Sequence, residues 1–271
     1  MISEQELRKL QLIQLEILNI VADICNKHNL NYWLDGGTLL GAVRHGGYIP
    51  WDDDIDIGLL RKDYNKLLKI LPKELPDHLI LQTSKTDKYY KYDWAKVRDL
   101  YSEAISSSTV KSKHKYRGLR IDIFAFDYVP GNMFFRKIQL LIINTRMFFK
   151  SDIKTMQNIT QLKKITHKIG QIIPCFIFNI PYYLTIKLSN LLFSKYISCY
   201  FQVPNSYPRN LKPKDCYFPL SEIKFEDTMH KCPAKINCYL KSLYGDNYMT
   251  PIKYPLHLKE IKYFDKSIPK S

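Results

Sequence analysis

Apolar residues recur at Leu7, Leu10, Leu15, Leu18, Val21 and Ile24, the three-and-four spacing of a helix that buries one face. Ser3 and Glu6 frame its start as a capping box, so a helix is expected from there to about Asn29. The pattern then shortens. NYWLD (31–35) is a compact aromatic strand leading into a Gly36-Gly37 turn, and Thr38 to Arg44 suits a short helix beginning at that turn. Strict alternation through DIDIGLL (54–60) reads as a strand, and RKDYNKLLKIL (61–71) as a helix stopped by Pro72. HLILQT, YDWAKVRDL and GLRIDIFAF give three further strands. Strands and helices alternating in this way over residues 1–130 make an α/β core.

The period then changes. Long apolar helices are expected between Phe134 and Phe201, and a proline-punctuated loop precedes a last helix from about Ala234 to Tyr244. Pro233 stands at that helix's first turn and Gly245 just past its end. The chain therefore divides into the core (1–130), an added basic, apolar helical region (131–205), and a C-terminal loop and helix (206–271) that packs back on the core. Within the middle part, Ile169 to Ile186 runs eighteen residues without a charge, the lower limit for a membrane span. Pro174, Pro181, Gln171 and Asn179 oppose spanning. A buried helix pair and a patch lying among lipid headgroups are the other readings, the second matching the basic, Phe- and Tyr-rich flanks.

Composition excludes more than it selects. With 271 residues, 45% hydrophobic and 25% charged, the chain is neither disordered nor a disulfide scaffold. Charge is uneven. Thirteen Lys or Arg face the single acid Asp152 between Tyr128 and Lys214, while the first 110 residues hold sixteen of the 26 acids. The cationic half suits anions such as nucleic acid, anionic lipid or phosphorylated glycan. Cys25, Cys175, Cys199, Cys216, Cys232 and Cys238 show neither a C-x-x-C pair nor a zinc spacing and read as idle thiols in a reducing compartment. The N-terminus is acidic and amphipathic, unlike a signal peptide, so a cytoplasmic protein is expected, with peripheral contact to the inner face of the membrane as an option.

The chemistry concentrates in WDDDIDIG (51–58). Residues two apart on a strand share a face, so Asp54 and Asp56 point together, roughly 6–7 Å apart, with Ile55 and Ile57 turned into the core. Asp122, also flanked by isoleucines, is the natural third carboxylate, since burying it costs free energy unless it meets a metal or a partner. Three inward carboxylates suit Mg²⁺ or Mn²⁺ with open positions for substrate. A solvated acidic turn is the plain alternative for Asp52, Asp53 and Asp54. A calcium loop fits poorly: Ile57 stands where its glycine belongs, Gly58 comes one place late, and Asp63 replaces the bidentate glutamate. Gly36, Gly37 and Thr38, between a strand and a helix start, supply an anion site as the complement.

The stretch YWLDGGTLLGAVRHGGYIPWDDDIDIGLLRKDY resembles the signature of the LicD family of phosphotransferases, to which fukutin-related proteins belong. The likeness continues in WAKVRD, GLRIDIFAFD, FPLSEIKFEDTMHKCP and YLKSLYGDNYMTP, leaving out 133–200, and departs at Glu226-Asp227, where the family has Glu-Gly. The resemblance implies a nucleotidyltransferase-like mixed sheet core. It also implies metal-dependent transfer of a phospho-alcohol, phosphocholine first, from a CDP-linked donor such as CDP-choline. The acceptor would be a hydroxyl of a glycan or glycolipid: lipopolysaccharide, teichoic acid or a capsule precursor. Asp54, Asp56 and Asp122 would be the metal ligands and catalytic residues, and Gly37-Thr38 the phosphate turn. Lys96 and Arg98 share a strand face and could reach the donor phosphates, and Arg44 and His45 lie between phosphate turn and aspartates. Asp122 and Asp53 are both candidates for the base, Asp52 and Asp53 accessory carboxylates. A choline donor calls for an aromatic cage, with Trp33, Trp51 and Trp94 near in sequence. A D-x-D sugar-nucleotide glycosyltransferase leaves Asp122 and the glycine turn unexplained. A nucleic-acid-binding protein lacks any recognisable RNA-binding module.

Overall fold

The computed structural model describes residues 2–106, 113–150, 160–173, 176–199 and 211–264. It has two compact units, Met1–Phe126 with Asp215–Ser271, and Asp127–Lys214.

In the first unit the chain forms α1 (Glu4–Lys27), β1 (Tyr32–Leu34), α2 (Gly36–His45), β2 (Asp56–Leu60), α3 (Arg61–Glu74), β3 (Leu79–Gln82), β4 (Ala95–Asp99), β5 (Ser102–Ser106) and the start of β6 (Arg120–Val129). The second unit carries α4 (Met133–Lys150), α5 (Gln161–Ile172), α6 (Phe176–Leu192), β7 (Tyr196–Ser198) and β8 (Lys212–Pro213). Back in the first unit come β9 (Ser221–Phe225), β10 (Thr228–Cys232), α7 (Ile236–Tyr244) and β11 (Leu258–Tyr263). The fold class is the expected mixed α/β.

The sheet of the first unit runs β1-β2-β6-β4-β3. Only β2 and β6 are parallel, and their register sets Asp56 beside Asp122; the antiparallel register of β4 sets Lys96 on the other side of Asp122. Ile55, Ile57, Ile121 and Ile123 are fully buried, so the aspartates between them are turned the other way by strand alternation. Close approach fixes one glycine: a Cβ at Gly58 would stand 2.5 Å from Trp33 Nε1 and 2.7 Å from Phe126 Cε2. Trp33 is completely buried against Phe126 and Tyr217, a core aromatic and not part of a cage.

Helix α1 begins with the expected capping box, Ser3 and Glu6 satisfying each other's backbone N–H. Its buried face contains two polar residues, Gln11 and Gln14, while Leu15 is only half-buried and Ile17 takes its place in the core. Several expected boundaries shift. Strand β2 begins at Asp56, so Asp54 stands ahead of the strand expected to carry it. The Gly36-Gly37 pair is the first turn of α2, because Asp35 caps the helix by accepting from Gly36 N at 2.8 Å. Pro72 lies inside α3, which runs two residues past it, since a proline in the last turn forfeits only one hydrogen bond. The last helix starts at Ile236, after Lys235 at its cap.

The hairpin β9–β10 turns at Glu226 and Asp227, with Glu226 in the left-handed region at φ 54°. Its carboxylate accepts a forked pair from Arg8 at 3.1 and 2.7 Å and the Tyr48 N–H at 3.0 Å. These bonds hold a conformation that disfavours a side chain.

In β10, His230 is buried with Tyr32 Oη 3.1 Å from Nδ1 and Thr228 Oγ1 2.9 Å from Nε2. Burial pushes its pKa down to about 4. A histidine lowered in the folded state contributes stability that is complete above its unfolded value near 6.5 and is lost as the pH falls toward 4. His230→Gln is expected to remove about 2 kcal/mol of that acid lability, read from urea midpoints at pH 7 and pH 4.5. An identical pH dependence in both proteins would contradict the assignment.

In the second unit the described residues of the expected helical run form three helices, and 193–199 is not helical. Residues 151–159 and 200–201, with Pro174 and Cys175, lie outside the described residues. The last residues of β6, Asp127–Val129, pair antiparallel with β7, and β7 with β8. Among the described residues no helix is long and apolar enough to cross a membrane. Cys25, Cys199, Cys216 and Cys232 are buried and Cys238 exposed.

Candidate functional site

The aspartate segment is held from beneath by the polar residues of α1. Gln11 donates to Asp52 O at 3.0 Å; Gln14 donates to Asp53 O at 2.9 Å and to Arg120 O at 3.0 Å. From the other side α2 closes on it. The Asp56 N–H donates to Thr38 Oγ1 at 2.9 Å, and Asp35 N to Asp56 O at 3.0 Å. The glycines are where the carboxylates come closest. A Cβ on Gly37 would stand 3.1 Å from Asp52 Oδ2, and one on Gly36, itself at φ +51°, 3.6 Å from Asp56 Oδ2. Sequence positions 36–38 and 52–56 thus meet in one place.

Too few cations face these carboxylates. Burial, followed by Asp54 and Asp53, raises the Asp52 carboxyl to about 8. Burial also raises Asp54, against the pull of Arg120, and raises Asp56 well above the ordinary range with Asp54, Asp122 and Asp35 adding to it. Asp122 behaves differently. Burial would raise it too, but Lys96 and Arg120 outweigh that and hold it low. Lys96 Nζ donates to Asp122 Oδ1, and Arg120 Nε lies 3.5 Å from the same oxygen with no hydrogen bond of its own. A buried group of like charges is stable only if it is protonated or meets a cation.

A cavity of about 860 Å³ opens over the cluster, within the usual size range of small-molecule sites. Its floor includes Gly37, Asp52, Asp53, Asp54 and Arg120; its wall is the C-terminal segment, with Tyr244, Tyr248, Tyr254 and His257. Asp53 Oδ2 fastens that wall by accepting from Leu258 N at 2.7 Å. Asp53, Asp54 and His257 each present a ligand atom, all within 4.8 Å of one another.

The other sequence candidates separate. Arg44 lines the cavity and donates to Tyr248 O at 3.0 Å, so it also braces the wall. His45 packs edge-on against Trp51, 6.0 Å between centroids, and burial lowers its pKa. Trp51 lines the cavity, with Nε1 donating to Ile252 O at 3.3 Å. Trp94 lies against Tyr92 and Phe124 and not in the cavity wall. Arg98 is buried, its Nε donating to Gln82 Oε1 and its Nη1 to Gly118 O at 2.6 Å. It is a strand-to-strand tie, not a reach toward the aspartates. Sequence reasoning missed Arg120 and His257, which stand at the cavity, and Gln11 and Gln14, which support it. Glutamines on the buried stripe of α1 were the available signal for the last two.

Set beside known proteins, the chain matches the family described as LicD/FKTN/FKRP, nucleotidyltransferase domain, over residues 29–165. It is 35% identical over 126 residues to the lipopolysaccharide cholinephosphotransferase LicD of Haemophilus influenzae, 46% of each chain. Human ribitol 5-phosphate transferase FKRP is 46% identical over 48 residues, 18% of this chain and 10% of that protein. Mouse ribitol-5-phosphate transferase FKTN is 29% identical over 111 residues, 41% of this chain and 20% of that protein. In each case the match spans less than half of the relative's length.

Proposed function

Since the chain belongs to the LicD family, by a domain that fills half of its length, we propose that it is a phosphotransferase. It would move a phospho-alcohol, phosphocholine first, from a CDP-linked donor to a hydroxyl of a surface glycan or glycolipid. The named activities of relatives that use choline phosphate or ribitol phosphate support the reaction class. The observation that carries the reading is the cluster of half-buried and buried carboxylates beneath a cavity, with too few cations to balance it. The reaction would take place in the cytoplasm, on a glycan precursor.

The donor set fits a hard divalent cation: Asp54 and Asp56 with Asp122 beside them, or Asp53 and Asp54 with His257. Mg²⁺ or Mn²⁺ held there would neutralise diphosphate oxygens and polarise the phosphoryl group. The chain's own residues do the rest. Arg120 offers a fixed guanidinium to phosphate oxygens from the cavity floor. Asp122, itself paired with Lys96, stands beside that guanidinium, Oδ1 3.5 Å from Arg120 Nε. Arg44 keeps the tyrosine-rich wall over the donor, limiting water that would compete with the acceptor hydroxyl. Of the two base candidates, Asp122 is tied to two cations and weakly basic, whereas Asp53 lines the cavity. With the cation on Asp54, Asp56 and Asp122, Asp53 is therefore the group to take the acceptor's proton.

The test is release of cytidine monophosphate from CDP-choline, CDP-ribitol, CDP-glycerol and CDP-ethanolamine, with Mg²⁺ and with chelator. Release from one CDP-alcohol that stops on chelation supports the reading and names the alcohol. Turnover of a UDP-sugar in their place would establish the glycosyltransferase reading and sink this one.

A further inference from the structure

The three helices of the second unit use part of their apolar surface on one another. Ile143, Tyr182 and Ile186 are buried between them. Arg146 is satisfied there, donating to Asn179 Oδ1 at 2.8 Å with its guanidinium 4.0 Å from the Tyr182 ring. What remains outside is apolar as well. On α4, Phe134, Ile138 and Leu141 follow one another at helical spacing, Leu141 being 68% exposed. On α5, Ile165, Ile169 and Ile172 do the same, Ile172 being 83% exposed. On α6 the outward stripe is Ile177, Ile180, Leu184, Leu188 and Leu191, the last 75% exposed. A stripe at the helical period normally marks the face that a helix buries, and large exposed apolar patches mark interaction surfaces. Of the three readings for 169–186, the buried helix pair is therefore corrected: the described residues form helices whose outward stripes are uncovered.

Charge narrows what covers them. Lys163, Lys164 and Lys168 on α5 and Lys187 on α6 are exposed beside these stripes. Over 128–214, thirteen cations stand against one acid. We propose that the outward faces of α5 and α6 form a membrane-docking surface, with the apolar stripes entering the headgroup–acyl boundary of an anionic bilayer and the lysines meeting lipid phosphates. An apolar surface rimmed by cations without acids complements a layer that is apolar inside and anionic outside. A second copy of the chain complements it poorly, since self-pairing sets lysines against lysines with no acid on α4, α5 or α6 to answer them. Spanning is not the mode: among the described residues no helix qualifies, and α6 carries Pro181 and Lys187.

The experiment is sedimentation of the full chain with vesicles of phosphatidylcholine alone and of an equal mixture with phosphatidylglycerol. Binding is expected to be at least about tenfold tighter to the anionic vesicles and to weaken with salt. Lys163→Gln/Lys164→Gln/Lys168→Gln should weaken it about 100-fold, and Leu184→Glu about tenfold. All four positions are exposed, so unfolding midpoints should not move; a circular dichroism melt of each variant checks this. Failure to sediment with either vesicle overturns the proposal, as does binding indifferent to both sets of substitutions. Light scattering that shows a dimer split by Leu184→Glu would instead assign the surface to a second copy.

Discussion

Asp56→Asn is expected to lower the rate of cytidine monophosphate release by at least about 10³-fold while leaving the fold intact. Asp56 is enclosed between Asp54, Asp122 and Asp35, in register with Asp122 across parallel strands. Asparagine has the same shape and keeps its own backbone bond to Thr38 Oγ1, but it cannot hold a cation against a diphosphate. Removing the charge also relieves repulsion in the metal-free protein. Carboxyl groups raised in the folded state bind protons that the unfolded chain does not. Metal-free stability should therefore rise as the pH falls from about 8, the value for Asp52, toward the ordinary 3.8. Asp56→Asn should flatten that rise and raise the unfolding temperature above it. A variant that loses activity together with stability would mean that Asp56 is structural.

The second large effect is at Arg120. It is the cation shared by Asp54, Asp53, Asp56 and Asp122, it stands on the cavity floor, and its Nε has no hydrogen bond. Arg120→Gln should lower kcat/KM for the CDP-linked donor by about 10²–10³-fold. It should also destabilise the protein by about 3 kcal/mol, because Asp122 and Asp54 lose a buried partner. Arg120→Lys keeps the charge without the two-pronged fork, so it should recover most of the stability and little of the kcat/KM. Steady-state kinetics and urea midpoints on both variants check the split. Unchanged donor kinetics in Arg120→Gln would remove Arg120 from the phosphate site.

These effects depend on residues of differing legibility. Asp56 and Asp122 could be read from sequence because strand alternation forces a carboxylate between two buried isoleucines to face the other way, whereas Asp54, ahead of β2, showed only in its D-x-D spacing from Asp56. The capping box at Ser3 and Glu6 was legible because it is local. Arg120 sits two residues from Asp122 on the same strand face, yet a lone arginine carries no pattern. His257 reaches the cluster from more than 200 residues away along the chain, and no periodicity encodes such a contact. Arg98 misled for the opposite reason: it shares a face with Lys96, but Gln82 and the Gly118 carbonyl take it up. The helical region shows the limit most clearly. Spacing identifies which side chains are apolar and at what period, while coverage of the resulting face depends on partners the sequence does not contain.

On the reading proposed above, the aspartate cluster holds a divalent cation which in turn holds a cytidine diphosphate. Thermal unfolding with CDP-choline, CDP-ribitol and UDP-glucose, each with and without Mg²⁺, tests it directly, because a ligand that binds only the folded state raises the midpoint. The predicted result is a rise with one CDP-alcohol that requires Mg²⁺ and is absent in Asp56→Asn. A metal-independent rise, or one that Asp56→Asn retains in full, would contradict it.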